Sequence, residues 1–475
     1  MIRRGRRNSY RFLRRLLAAA VLAYAAYYAY GRWFVFNPDE ILESSVLKEK
    51  NFETEVEEVV SPRYKIKAYL YEDKTNPIIS LSFIFKNAGW SSEDTGKAGI
   101  SALLEQMLLS GAGDYNEEDF NEKLENNAIT IGFSSGKDDF SGALLTTGEN
   151  SPVAYEMLKL ALSEPRFEED DIRRAKTRLT EGLKQQQEQP GQILSLAFAK
   201  ELYGSHPYGR NPLGQAETAD KISRRDLVAF MRKNFSRGNL IVGAAGDISP
   251  EELGSVLDDI FGVLPESANI NFVREADADF SPRSKDIPLT TAQNIAMFAV
   301  PGVSRNDADF YPLYVANFIF GGSGLNSRLS QAARENEGLT YSIGTGLALD
   351  EKSPTIQGSF SATPENFGRV VQILQREWND FSKNGATASE VREAKDYLIA
   401  SYNLRFAAIS DIAAIMAYMQ RDNLGRDFLQ KRNDYVRAVS VEQVNAVAAK
   451  YFDNNKLVRV NIGNFMKEFK EQEAR

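Results

Sequence analysis

The sequence predicts an α+β protein: two similar halves, each an antiparallel-rich sheet flanked by helices, behind an N-terminal membrane anchor. Three observations predict it. A helix-then-strand segment occurs twice at a fixed offset. Apolar residues elsewhere switch between a period of two and a period of 3.6. The first 36 residues hold eight arginines, no acid and an apolar run.

The N-terminus comes first. Arg3, Arg4, Arg6, Arg7, Arg11, Arg14 and Arg15 precede an uncharged run from Leu16 to Gly31, and Arg32 separates that run from Trp33, Phe34, Val35 and Phe36. The run is shorter than the roughly 20 residues a span needs. A snorkelling Arg32 and interfacial aromatics extend it to Phe36. Residues 1–45 therefore read as a cytoplasmic basic segment plus a single-pass signal anchor at a bacterial inner membrane, with the body in the periplasm. The alternative is secretion to the periplasm after signal cleavage, for which Ala23–Ala25 offers small residues. The rest of the chain sets 49 basic residues against 65 acidic ones, near −16, which argues against a nucleic-acid partner.

Residues 50–265 read as the first half. Its strand candidates are Tyr64–Tyr71, Ile78–Lys86, Ile129–Ser134, Ala143–Thr147 and Leu240–Ala245, with a hairpin turn at Gly136–Asp139. Residues 266–288, rich in Glu, Asp, Pro and Ser, read as a linker, and 289–475 as the second half. The repeat joins the halves. Ser223–Phe235 matches Ser440–Phe452 at an offset of 217, with Ala229, Lys233 and Phe235 facing Ala446, Lys450 and Phe452, and Gly246-Asp247 facing Gly463-Asn464. Upstream, Ile172-Arg-Arg-Ala-Lys176 resembles Val391-Arg-Glu-Ala-Lys395. Two matches in one order indicate a duplicated unit.

Composition limits the chemistry. The chain has one histidine, His206, and no cysteine, so no zinc site needing two histidines, no thiolate nucleophile and no disulfide can be built from it. His206 lies between Gly204 and Pro207 in a loop and reads as a packing residue, without a Ser/His/Asp set around it.

The motif order resembles the M16 metallopeptidase family, which includes insulinase, pitrilysin and the mitochondrial processing peptidase. The resemblance rests on Asn87-Ala88-Gly89-Trp90, Gly96–Met107, His206–Gly214, Gly246-Asp247 and Arg334–Ser342, and covers about residues 50–470. It implies a duplicated M16 fold. Active members carry His-x-x-Glu-His on the helix that begins near Gly99, with two histidines one turn apart on one zinc and a Glu activating the bound water. Here those positions are Ala102, Leu103, Leu104, Glu105 and Gln106, a degenerate motif that keeps only Glu105. The family's downstream Glu ligand falls at Gly182, beside Glu181. No metal ligand set or catalytic residue is expected in this chain, and Glu105 reads as a structural helix residue. Arg334 and Tyr341 match a family pair that faces the substrate: a guanidinium holds a peptide carbonyl or carboxylate, a phenol donates to a developing oxyanion. Gly321–Gly324 lacks a following Gly-Lys-Ser/Thr and is not a phosphate cradle.

The expectation is a zinc-less, non-catalytic subunit of a heterodimeric M16 zinc peptidase. It would bind peptide or unfolded protein substrate by strand addition and close a chamber with a homologous subunit that carries zinc in an intact motif. The alternative is a stand-alone peptide-binding or scaffold protein with no part in proteolysis.

Overall fold

The computed structural model describes residues 56–465, so the anchor expected over residues 1–45 lies outside them. Among the described residues no single helix is long and apolar enough to cross a membrane.

The first half contributes strands β1 (Glu57–Val60), β2 (Lys67–Glu72) and β3 (Ile78–Phe85), a minor pair β4 (Gly111–Ala112) and β5 (Tyr115–Asn116), then β6 (Thr130–Ser135), β7 (Phe140–Thr147) and β8 (Leu240–Gly246). Its main helices are α1 (Ile100–Met107), α2 (Glu117–Asn126), α3 (Ser151–Ser163), α4 (Glu169–Glu188), α5 (Pro190–Tyr203), α6 (Arg224–Asn234) and α7 (Pro250–Phe261). The second half follows with β9 (Arg283–Pro288), β10 (Asn294–Pro301), β11 (Thr340–Ala348), β12 (Thr355–Ala362) and β13 (Val458–Gly463). Its helices are α8 (Phe310–Asn317), α9 (Pro364–Asn384), α10 (Ala388–Ala400), α11 (Ile409–Arg421), α12 (Phe428–Arg437) and α13 (Val441–Tyr451).

The sheets run β1-β2-β8-β3-β7-β6 and β11-β12-β10-β13-β9. Without β1, and with the second sheet read backwards, the two orders are the same. In each, the outermost pair is parallel (β2 with β8, β9 with β13) and the other pairings are antiparallel. Both are mixed sheets flanked by helices. The end of the stretch read as linker, Arg283–Pro288, is itself strand β9. Strand β2 starts three residues later than its apolar pattern suggests, because Lys65 takes a positive φ in a turn closed between Ser61 and Ile66.

The repeated segments now have a physical reading. Ser223 and Ser440 each cap the following helix in a capping box, with Asp226 and Gln443 as reciprocal partners. Phe235 and Phe452 are fully buried, Phe235 stacked on Phe85 at 4.3 Å and Phe452 beside Trp378 at 5.1 Å. The upstream pair supports the same place: Lys176 donates to Asp220 O, and Lys395 to Val439 O, just before each serine cap. Gly246 and Gly463 both have positive φ, and a Cβ would meet Ile78 O at 2.0 Å or Asn294 Oδ1 at 2.1 Å.

The helix that covers the second face of each sheet comes from the other half. Leu194, Phe198, Leu202 and Tyr203 of α5 pack on Ala299 of β10 and on Val458, Val460 and Ile462 of β13. Ile412, Ala413, Met416 and Met419 of α11 pack on Ala245 of β8, with Tyr69 and Tyr71 of β2 at the margin. Strand β8 meets α11 at Gly243, where a Cβ would strike Ala413 O and Ala417 N, both at 2.3 Å. The opposite faces carry the two large cores, with Phe83, Phe140 and Phe261 in one and Phe298, Phe320 and Trp378 in the other.

A polar junction ties the halves where their hairpin turns meet. Arg421 donates to Asp139 (2.8 Å), Asp422 (3.0 Å) and Glu351 (3.2 Å). Glu351 N donates to Asp138 and Lys352 N to Tyr208 Oη, both at 3.0 Å, and Lys137 pairs with Asp350. Burial works against the Arg421 charge, but Asp139 and Asp422 outweigh it and hold the guanidinium firmly protonated.

Candidate functional site

Helix α1 carries the degenerate motif, and its start is fixed from outside the helix. Gly99 supplies no capping side chain. Glu93, six residues upstream, accepts from Gly99 N and Ser101 N at 2.8 Å each, and from Ser101 Oγ. A carboxylate here satisfies free N–H groups and faces the positive end of the helix dipole. Glu93 is only 6% exposed, and burial raises its pKa despite these hydrogen bonds. Reading the motif alone misses Glu93; the signal was a glycine at the cap position with an acid shortly before it.

Ser101 Oγ accepts from Ser135 Oγ at 2.7 Å, and Ser135 N donates to Glu105 Oε2 at 3.0 Å. Glu93, Ser101, Ser135 and Glu105 thus lace α1 to the end of β6. Burial raises the Glu105 pKa and the Ser135 N–H partly offsets it. The structure gives Glu105 the Ser135 N–H as its backbone partner.

The Ala102 and Gln106 positions do not fit zinc. Ala102 has no donor atom, and Gln106 Oε1 accepts from Arg178 Nε on α4 at 3.2 Å. A guanidinium directed there repels a dication. Glu181 is exposed and Gly182 half-buried on the same helix, and no group of three His, Cys, Asp or Glu among the described residues could hold a metal. His206 is 5% exposed: its Nδ1 accepts from Tyr208 N (3.2 Å) and its Nε2 reaches Arg274 O (3.0 Å), which leaves the ring occupied as a loop staple.

Arg334 and Tyr341 do come together. Arg334 lies on a π-helical turn, Gln331–Glu335, and its guanidinium carbon sits 5.4 Å from the Tyr341 ring centroid. Tyr341 is the unpaired residue of a β-bulge: Thr340 pairs with Ala362 and Ser342 with Ser361. The bulge turns its side chain out of the sheet, leaving it 80% exposed. Among the described residues no hydrogen bond or ion pair joins either residue to Glu105. They belong to opposite strand ends: Glu105 reaches Ser135, the last residue of β6, and Tyr341 is the second residue of β11. Strands β6 and β11 are the outer strands at the same end of the shared order, and each leads into a turn of the polar junction. Ser135 N–H points away from β7 toward Glu105, so by alternation the backbone groups of Phe133 and Ile131 face the open edge of β6. The glycines at 321–324 form a π turn and a 3₁₀ turn before Arg328, which pairs with Glu390 and Asp380 and is structural.

Comparison with known proteins decides the family. Residues 68–215 match the family described as insulinase (peptidase family M16), and residues 221–398 match the peptidase M16 inactive domain. The chain belongs to the M16 family. Among its M16 relatives is the "non-peptidase homolog YmxG" of Helicobacter pylori, 24% identical over 403 residues, 84% of this chain and 92% of that one. The "uncharacterized zinc protease YmxG" of Bacillus subtilis is 23% identical over 74% of this chain and 86% of that one. A crystal structure of a peptidase M16 inactive domain from Pseudomonas fluorescens superposes with a TM-score of 0.81 at 25% identity, covering 86% of this chain and 98% of that one. The periplasmic protease PqqL of Escherichia coli shares the fold at a TM-score of 0.73 and 12% identity, over 88% of this chain and 46% of that one.

Proposed function

We propose that this M16 protein is a non-catalytic subunit that binds extended peptide and completes the chamber of a zinc-bearing homologous partner. The observation that carries the reading is a division of parts: the zinc positions hold Ala102 and an arginine-bound Gln106, while a half-buried Arg334 stands beside an exposed Tyr341. Arg334 would grip a substrate carbonyl or carboxylate, and Tyr341 would donate to oxygen as it gains charge at the partner's metal. The open edge of β6 suits strand addition by an unfolded segment. An N-terminal anchor would hold the assembly at the periplasmic face of the inner membrane.

The test is peptidase activity and bound zinc for the purified chain, alone and mixed with an M16 homologue that has an intact motif. The expected result is chelator-sensitive turnover only on mixing, reduced at least tenfold by Arg334→Ala and by Tyr341→Phe, with thermal midpoints little changed because Tyr341 is exposed and Arg334 is half-buried with only a surface pair to Glu335. Turnover and stoichiometric zinc from the chain alone would refute the proposal. Peptide binding without turnover in any mixture would leave a stand-alone binding protein.

A further inference from the structure

Among the described residues the acidic body carries a basic groove. It measures about 940 Å³, runs along α6 and is lined by Arg224, Arg225, Arg232 and Lys233 over a floor of Val228 and Ala229. Arg224 donates to Arg166 O, and Lys233 is engaged by Asn271 and Asp94. Arg225 and Arg232 are exposed, with no side-chain hydrogen bond or ion pair among the described residues. Glu169 is the one carboxylate in the lining.

The duplication supplies an internal control. The second half has a groove of about 700 Å³ between α10 and α13 that shares Ser440, Val441 and Glu442 with the corresponding positions and sets Arg392, Lys395 and Arg437 against Asp396 and Glu442. At the repeat offset, Arg224, Arg225, Arg232 and Lys233 correspond to Val441, Glu442, Ala449 and Lys450. Of the four cations along α6 only Lys233 recurs, as Lys450, so the repeated helix does not require Arg224, Arg225 and Arg232. Cations that structure does not demand, on a body near −16, cost self-repulsion unless something anionic compensates them. Beside the groove, the chain that bonds Lys233 through Asn271 continues to Phe272, which is 88% exposed. Solvent-facing arginines over a small apolar floor, next to a bare phenylalanine, combine the two attractions of a protein that lies on a charged bilayer.

We propose that the α6 groove docks on anionic phospholipid and fixes which face of the body lies against the membrane. This rests on the anchored reading of the N-terminus. The remainder of the body is acidic and repelled by the same surface, so the contact orients the molecule.

The chain contains no cysteine, so Phe272→Cys gives a single site for an environment-sensitive fluorophore. The labelled full-length chain is reconstituted in vesicles of phosphatidylcholine alone and in vesicles with 30% phosphatidylglycerol (about a third anionic, on the order of a bacterial membrane). Flotation with phosphatidylcholine vesicles reports the anchor independently of the groove. The expected result is a blue-shifted, brightened label only in the anionic vesicles, reversed by 0.5 M salt (a Debye length of roughly 4 Å), and lost in Arg225→Glu/Arg232→Glu. Those positions are exposed, so the variant keeps its thermal midpoint. Flotation failing with phosphatidylcholine while the label still responds to anionic vesicles would remove the anchor and keep the docking face. An identical label signal in both vesicles would overturn the proposal and leave an acidic polypeptide as the groove's occupant.

Discussion

Arg421→Met should unlock the junction between the halves. The Arg421–Asp139 pair lies 2.8 Å apart, with both side chains 16% exposed. At an effective dielectric constant of 20 the gross attraction is about 6 kcal/mol. Desolvation cancels part of it, and removing one member of a buried pair costs about 3–5 kcal/mol because the other is left uncompensated. Asp139 keeps the Asn87 N–H at 2.9 Å, which places the expected loss near 3 kcal/mol, the low end of that range. The assay is a double-mutant cycle with Asp139→Asn in urea, which leaves ion pairs unscreened. The double variant should be about 2 kcal/mol more stable than the sum of the single losses predicts. Circular dichroism and tryptophan fluorescence should show one midpoint, since Trp90 and Trp378 sit in different halves that share their covering helices. Additivity within about 0.5 kcal/mol would refute the reasoning, because it would mean the pair is not coupled.

Three further outcomes follow from the geometry. Gly243→Ala forces a methyl group against the α11 backbone and should cost about 2–3 kcal/mol, read as a lowered thermal midpoint; a neutral result would mean that α11 moves freely on the sheet. The folded-state pKa of Glu105 is raised, so its contribution to stability is present below the ordinary glutamate range and lost as pH rises through the raised value. Glu105→Gln keeps an acceptor for Ser135 N–H and should flatten that decline, matching the parent in acid and exceeding it at pH 7; a steeper decline would contradict the burial argument. Ala102→His with Gln106→His and Gly182→Glu should bind zinc weakly. Adding Arg178→Ala should tighten binding by about tenfold, as removal of one nearby cation implies, measured by competition with a chromogenic chelator. Equal affinity with and without Arg178 would show that its charge is not felt there.

Much of the body was legible in the sequence because repetition is visible without geometry. Ser223 and Ser440, Phe235 and Phe452, and Gly246 and Gly463 match because each meets the same local need twice: a cap, a core ring, a backbone crossing. The loss of zinc ligands was equally legible, since Ala102 has no donor atom. Long-range relations were not. The only local trace of Glu93 as the cap of α1 is an acid ahead of a cap glycine, because its partners are six and eight residues away. Nothing in Gln106 announces Arg178, 72 residues later. The linker boundary blurred because Arg283–Pro288 is a polar edge strand whose apolar signal is weak. The exposure of Tyr341 depends on a bulge, which pattern alone does not reveal.

The crossed helices also set an order of events during synthesis. Strand β8 completes the first sheet at Gly246, but α11 ends at Arg421, some 175 residues later. At about 5–20 residues per second the ribosome needs roughly 10–35 s to cover that distance. Throughout it, Ala245, Tyr69 and Tyr71 lack their covering helix and α5 lacks its sheet. The nascent first half is therefore a client for chaperones, and a chain truncated before α11 should aggregate where the complete one folds.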